Sequence, residues 1–190
     1  MEKIVEKTVK ITFCGGTGSV TGANFLLEID DQKILIDCGL TQGENLDDDV
    51  NWSPFIYDPE EINILFVTHA HVDHLGRIPK LINDGFRGKI YSTEPTKALA
   101  SPMLEDTAGI LSKNANLGLD KIYTEENIKL ALSLWQGFIY HQTIKITENV
   151  EAVFLNAGHI LGSAMVEFLY NGKKILFTGD LGNSPSMLLP

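Results

Sequence analysis

Sulfur and positive charge are both scarce in this chain. It has two cysteines, Cys14 and Cys38, in 190 residues. Two distant cysteines make neither a disulfide framework nor a zinc knuckle, which fits a reducing cytoplasm; each reads as a small buried hydrophobe. Lys and Arg number 15 against 25 Asp and Glu, a formal charge of −10. Proteins that grip nucleic acid by its phosphates carry a basic surface, and this one does not. No apolar run approaches the roughly 18 residues of a membrane span, and the mixed-charge N-terminus lacks the apolar stretch of a secretory signal. No internal repeat, low-complexity stretch or linker breaks the chain.

What remains is ordinary globular composition, 44% hydrophobic and 21% charged, long enough for one domain with a core. Short β-branched or alternating runs predict strands at 8–13, Asn24–Ile29 and 33–37, with Asp30-Asp31 turning between the last two. A polar, acidic loop fills 41–58, and the continuous apolar run 63–67 predicts a buried strand. Residues 73–83 predict one helix with Leu75, Ile78, Leu81 and Ile82 on a face and Gly85 past its end. Residues 89–92 read as a strand and 94–135 as helical, with Thr124 capping a helix whose first turn holds Glu125 and Glu126. Strands return at 138–140, 143–146, Val150–Asn156, Ala164–Tyr170 and 174–178, the last two joined through Asn171-Gly172. The expected plan is α/β, two sheets with helices packed outside them: an αββα sandwich or half of one. The stop at 182–190, soon after a strand, reads as that of an N-terminal part.

Three of the five histidines fall within six residues, in Thr68-His69-Ala70-His71-Val72-Asp73-His74. His69 and His71, two apart after a buried strand, can aim two imidazoles at one point. Asp73 and His74 follow where a helix begins and can serve a second ion. Imidazole and carboxylate suit zinc, and the absence of sulfur ligands argues for an open, catalytic site. As core such a cluster would be costly, and as surface pointless. Asp180, after Gly179 at a strand end, has a carboxylate able to bridge two cations; alone it would read as a turn residue. His159 alone is as well read as a packed polar residue. His141 lies outside every motif and reads as surface. The glycines of 15–22 fit neither a P-loop nor a dinucleotide-binding spacing, and read as a turn near the site.

His69-x-His71-x-Asp73-His74 after an apolar strand, then Gly158-His159, then Phe177-Thr178-Gly179-Asp180, resembles the signature of the metallo-β-lactamase superfamily, in matching order over nearly the whole chain. The resemblance implies that His69, His71 and His159 bind one zinc, that Asp73 and His74 bind a second, and that Asp180 bridges both. It makes Asp73, His74 and Asp180 catalytic and Asp37 an orienting residue behind the ligands. Within the superfamily, Gly158-His159-Ile160-Leu161-Gly162-Ser163-Ala164, His74-Leu75-Gly76-Arg77-Ile78-Pro79 and Gly15-Gly16-Thr17-Gly18-Ser19-Val20-Thr21-Gly22 resemble the β-CASP nucleases. Lactamases and glyoxalase-type thioesterases share the cluster but differ around the third histidine.

The function implied is a cytoplasmic phosphodiester hydrolase, a ribonuclease of RNA processing or decay, exo- or endonucleolytic. A hydroxide activated by two zinc ions would attack phosphorus. RNA is the expected partner, single-stranded DNA a second, with no membrane; a homodimer is allowed for. The resemblance also implies a β-CASP cap domain, a C-terminal completion and a further histidine beyond this chain, so residues 1–190 alone would hold the second zinc loosely and be weak or inactive. The alternatives are a hydrolase of a small thioester, lactone or lactam, and a non-catalytic nuclease-derived binding subunit.

Overall fold

A computed structural model describes residues 8–43, 50–113 and 117–183. Residues 1–7, 44–49 of the acidic loop, 114–116 of the stretch expected to be helical and 184–190 of the expected chain end lie outside the described residues. Among the described residues ten strands form two sheets. The first is six-stranded in order β1 (Lys10–Gly15), β2 (Asn24–Ile29), β3 (Gln32–Ile36), β4 (Ile64–Phe66), β5 (Lys89–Thr93), β6 (Trp135–Phe138). β1 to β3 pair antiparallel and β3 to β6 pair parallel. The second, all antiparallel, runs β10 (Lys173–Phe177), β9 (Ala164–Tyr170), β8 (Val150–Asn156), β7 (Ile144–Lys145).

Alternation along the strands builds two cores. Leu26, Leu35, Leu65 and Ile90 face the helices. Their neighbours Leu27, Ile34, Ile36, Ile64 and Phe66 face the second sheet. Phe66 meets Phe168 and Phe154 there, at centroid distances of 5.1 and 5.6 Å. β4 is wholly buried because it is central and covered on both faces, the reason a parallel strand reads as a continuous apolar run. The helices are α1 (Val72–Leu75), α2 (Ile78–Asn83), α3 (Glu94–Leu111), α4 (Leu119–Ile122) and α5 (Glu125–Ser133). All five contribute to the first core and none to the core between the sheets. Among the described residues the layers are therefore α, β, β, part of the expected sandwich. No helix among them is long and apolar enough to cross a membrane.

The single helix expected at 73–83 is two. Pro79 has no amide hydrogen, and the carbonyls needed to carry the ladder through are taken by residues flanking β2 and β3. Asp73 O accepts from Ala23 N and His74 O from Cys38 N, while Arg77 N turns aside to Cys38 O. The helical stretch expected to 135 ends at Ser133. Trp135 starts β6, earlier than the 138–140 expected, because its ring is buried beside β5 and Nε1 donates to Ser92 Oγ at 2.8 Å. β1 begins two residues later than expected. The bounds of β2, β8 and β9, the Thr124 cap and the Asn171-Gly172 turn stand as read.

Candidate metal centre

Loops at the C-terminal ends of parallel strands are where α/β sheets place their ligands. Here Asp37 follows β3, residues 67–74 follow β4, His159 lies between β8 and β9, and Asp180 follows β10. The site thus spans the open end of both sheets. The turn into α1 is fixed by backbone. Gly39 N donates to Ala23 O, and a Cβ on Gly39 would lie 1.5 Å from Asp73 O, so only glycine lets β3 pass so close to the first turn of α1.

Three imidazole nitrogens converge. His69 Nε2 is 3.1 Å from His71 Nδ1, which is 3.2 Å from His159 Nε2. Ligand atoms around a tetrahedral ion with bonds of about 2.0 Å lie about 3.3 Å apart, so the spacing is that of three corners of such a site. Asp180 approaches with Oδ2, 3.5 Å from His159 Nε2 and 3.8 Å from His69 Nε2. One ligand atom from each of these four residues lies within 4.8 Å of the others. Burial and the neighbouring imidazoles push the His69 pKa down to about 2, and burial, then His159, lowers that of His71. His69 is therefore a neutral imidazole across the physiological range, the form a cation takes.

The other oxygen of Asp180 faces elsewhere. Oδ1 is 3.3 Å from His74 Nε2, and Asp73 Oδ2 lies 3.9 Å from the same nitrogen. His74 Nε2 is buried and has no hydrogen-bond partner. A buried orphan nitrogen flanked by two carboxylates fits a cation. Without one, burial disfavours the charged imidazole but Asp37, Asp73 and Asp180 outweigh it, and the His74 pKa rises to about 9. A cavity of about 270 Å³ opens beside His74 and Asp180, walled by Gly16, Val20, Phe25 and Phe177.

Asp37 and Thr68 stand behind the imidazoles. Asp37 Oδ1 accepts from Thr68 N, and Oδ2 accepts from Thr68 Oγ1 and His74 Nδ1, each at 2.8 Å. The His74 proton is thereby held on Nδ1, leaving Nε2 facing the carboxylates. Thr68 Oγ1, its hydrogen given to Asp37, sits 3.1 Å from His69 Nδ1 and orients that ring the same way. Every residue singled out in sequence, His69, His71, Asp73, His74, His159, Asp180 and Asp37, lies in this one place. Thr68 was missed as a contributor; its only signal is its place at the head of the histidine cluster. His141 is exposed in a turn, as expected, and Gly16 and Val20 of the glycine-rich stretch border the cavity.

Sequence comparison matches a metallo-beta-lactamase superfamily domain over residues 26–189. Ribonuclease TTHA0252 of Thermus thermophilus is 33% identical over 182 residues, 96% of this chain and 40% of that protein. Transcription termination factor FttA of Methanosarcina mazei is 34% identical, covering 92% and 28% respectively. Integrator complex subunit 11 of Danio rerio is 30% identical, covering 93% and 30%. The chain thus spans well under half the length of these relatives. Among solved structures, a protein of unknown function from Enterococcus faecalis aligns with TM-score 0.60 at 20% identity, over 91% of this chain and 43% of its own. The metallo-beta-lactamase fold protein YhfI of Bacillus subtilis aligns with 0.55 at 16%, over 90% and 62%. Those two likenesses concern the fold alone.

Proposed function

The chain belongs to the metallo-beta-lactamase superfamily, a family that binds metal ions, and from that membership we propose that it carries the metal centre of an RNA-cleaving phosphodiesterase of the β-CASP group. The observation that carries the reading is Asp180, whose two oxygens face two separate sets of nitrogens. His69 Nε2, His71 Nδ1 and His159 Nε2 would hold one ion and His74 Nε2 with Asp73 a second, with Asp180 common to both. All-nitrogen-and-oxygen ligation with a three-histidine set favours zinc. The substrate class is supported by the relatives, named for a ribonuclease, a transcription termination factor and an Integrator subunit.

Bound dications lower the pKa of water toward neutrality and neutralise phosphoryl oxygens. The chain's own residues then set the geometry. Asp37 and Thr68 fix the two ring tautomers, so that His69 and His74 offer Nε2. Water attacks phosphorus, its oxygen forms the new P–O bond and the bond to the leaving oxygen breaks. Asp73, beside His74 Nε2, is the carboxylate at hand to take the proton the water gives up, which then passes to the leaving oxygen. Dications at this place also offset locally the −10 charge that argues against phosphate binding.

The test uses the protein in its full natural length with single-stranded RNA labelled at one end. Cleavage that stops with chelator, returns with zinc and is lost in Asp180→Asn supports the reading. Cleavage indifferent to chelator, or a zinc-loaded protein that leaves RNA intact while hydrolysing a thioester, overturns it.

A further inference from the structure

His159 is the one nitrogen ligand of the proposed first ion that does not come from the β4–α1 turn, so its loop must be brought to the site from the second sheet. The loop is closed on itself by Ser163, which is fully buried. Ser163 Oγ accepts from His159 N at 3.0 Å and from Ile160 N at 3.2 Å, while Ser163 N donates to Ile160 O. Closure alone does not place a loop. Ala164 N ties the end of the loop to Thr68 O at 2.9 Å and Tyr140 Oη donates to Ser163 O at 2.9 Å. Nearer the histidine, two buried hydroxyls at the end of β5 and the start of α3 reach the carbonyl of Gly162, Thr93 Oγ1 donating at 2.6 Å and Thr96 Oγ1 at 2.9 Å.

Those hydroxyls are not spent as helices usually spend them. Thr93 caps α3 and accepts from Thr96 N, while its hydrogen has two acceptors in reach, Thr96 Oγ1 at 3.0 Å and the nearer Gly162 O at 2.6 Å. A threonine inside a helix turns its hydroxyl to solvent or to a carbonyl four residues back. Thr96 does neither, and reaches a carbonyl 66 residues away. Together the two donors fill both lone pairs of Gly162 O. Gly162 has φ of +83°, and a Cβ there would lie 2.6 Å from Thr96 N, so glycine lets the loop press onto the start of α3.

We propose that Thr93 and Thr96 are positioning residues for His159: by holding Gly162 O they fix the third imidazole against His69 and His71 and so set the affinity of that ion. The inference rests on the metal reading above. The first half of the domain thereby grips the second at the point where the two must share an ion. A partner that orients a ligand without touching the metal changes affinity by about 10–100-fold when removed.

The experiment measures zinc affinity by chelator competition and the absorption spectrum of the cobalt-substituted protein, again in the full-length protein. Thr96→Val keeps shape and cap but removes one hydroxyl; it should weaken the tighter ion by about 10–100-fold and alter the cobalt spectrum, while Thr96→Ser restores both. In a His159→Ala background, Thr96→Val should weaken zinc no further. If Thr96→Val does not fold, Thr96→Ala, which removes the same hydroxyl and leaves the Thr93 cap in place, should give the same loss. Unchanged affinity and spectrum in the foldable variant, or an equal further loss in the His159→Ala background, overturns the inference. A wild type that binds no zinc overturns the metal reading instead.

Discussion

Asp37 accepts the Nδ1 hydrogen of His74 at 2.8 Å, and both side chains are buried. Asp37 has φ of +58°, a left-handed conformation rarely adopted by residues other than glycine, asparagine and aspartate. The carboxylate takes three hydrogens in all. Its place explains why Nε2 is the nitrogen that His74 turns toward Asp73 and Asp180.

Asp37→Asn tests that. Asparagine tolerates the backbone and fits the space, but its amide must set an N–H against one of three donors. The metal-free variant should lose about 1–3 kcal/mol in urea unfolding. Zinc at the His74 side should bind about 10–100-fold more weakly. Full stability with unchanged zinc titration would deny Asp37 its orienting part.

Gly39→Ala should be costly for a different reason. The new methyl meets Asp73 O at 1.5 Å, a backbone atom that cannot swing aside. The start of α1 must move, taking Asp73 and His74 with it. A loss of about 1–3 kcal/mol or more is expected, with weakened metal binding. Gly43→Ala, where a Cβ meets nothing within 4 Å, is the control and should change stability by less than about 0.5 kcal/mol.

The histidine cluster was legible as a group because ligand chemistry is local: His69, His71, Asp73 and His74 share one turn, and His159 and Asp180 each follow a strand end. The strands read well where one face is buried and the other is not, as in β8 and β9. The break between α1 and α2 was illegible because the Asp73 and His74 carbonyls are drawn to Ala23 and Cys38, residues beside β2 and β3 that are distant in sequence. Thr93 and Thr96 escaped for the same reason, since a hydroxyl's partner 69 or 66 residues away leaves no local pattern.

Alkaline stability follows from Cys38. Burial pushes its thiol up to about 11, against the pull of Arg77. The unfolded thiol ionises near 9.0 while the folded one keeps its proton. Stability is thus whole below pH 9 and falls as pH rises from 9 to 11, by about 2–3 kcal/mol from this group. Cys14, also raised to about 11 but half-buried, adds a smaller share. Urea midpoints measured between pH 9 and 10, below the range where the buried Tyr57 and Tyr123 phenols add their own loss, should slope down in wild type and less steeply in Cys38→Ala. An identical slope in the variant would place the loss elsewhere.

The most direct test of the centre is the zinc content of the full-length protein after reconstitution and exhaustive dialysis. At least one zinc per chain should remain in wild type, and the His69→Ala/His71→Ala double variant, folded by circular dichroism, should hold less than the wild type by one ion. A wild type stripped of zinc by dialysis, or a content indifferent to both histidines, would contradict the assignment.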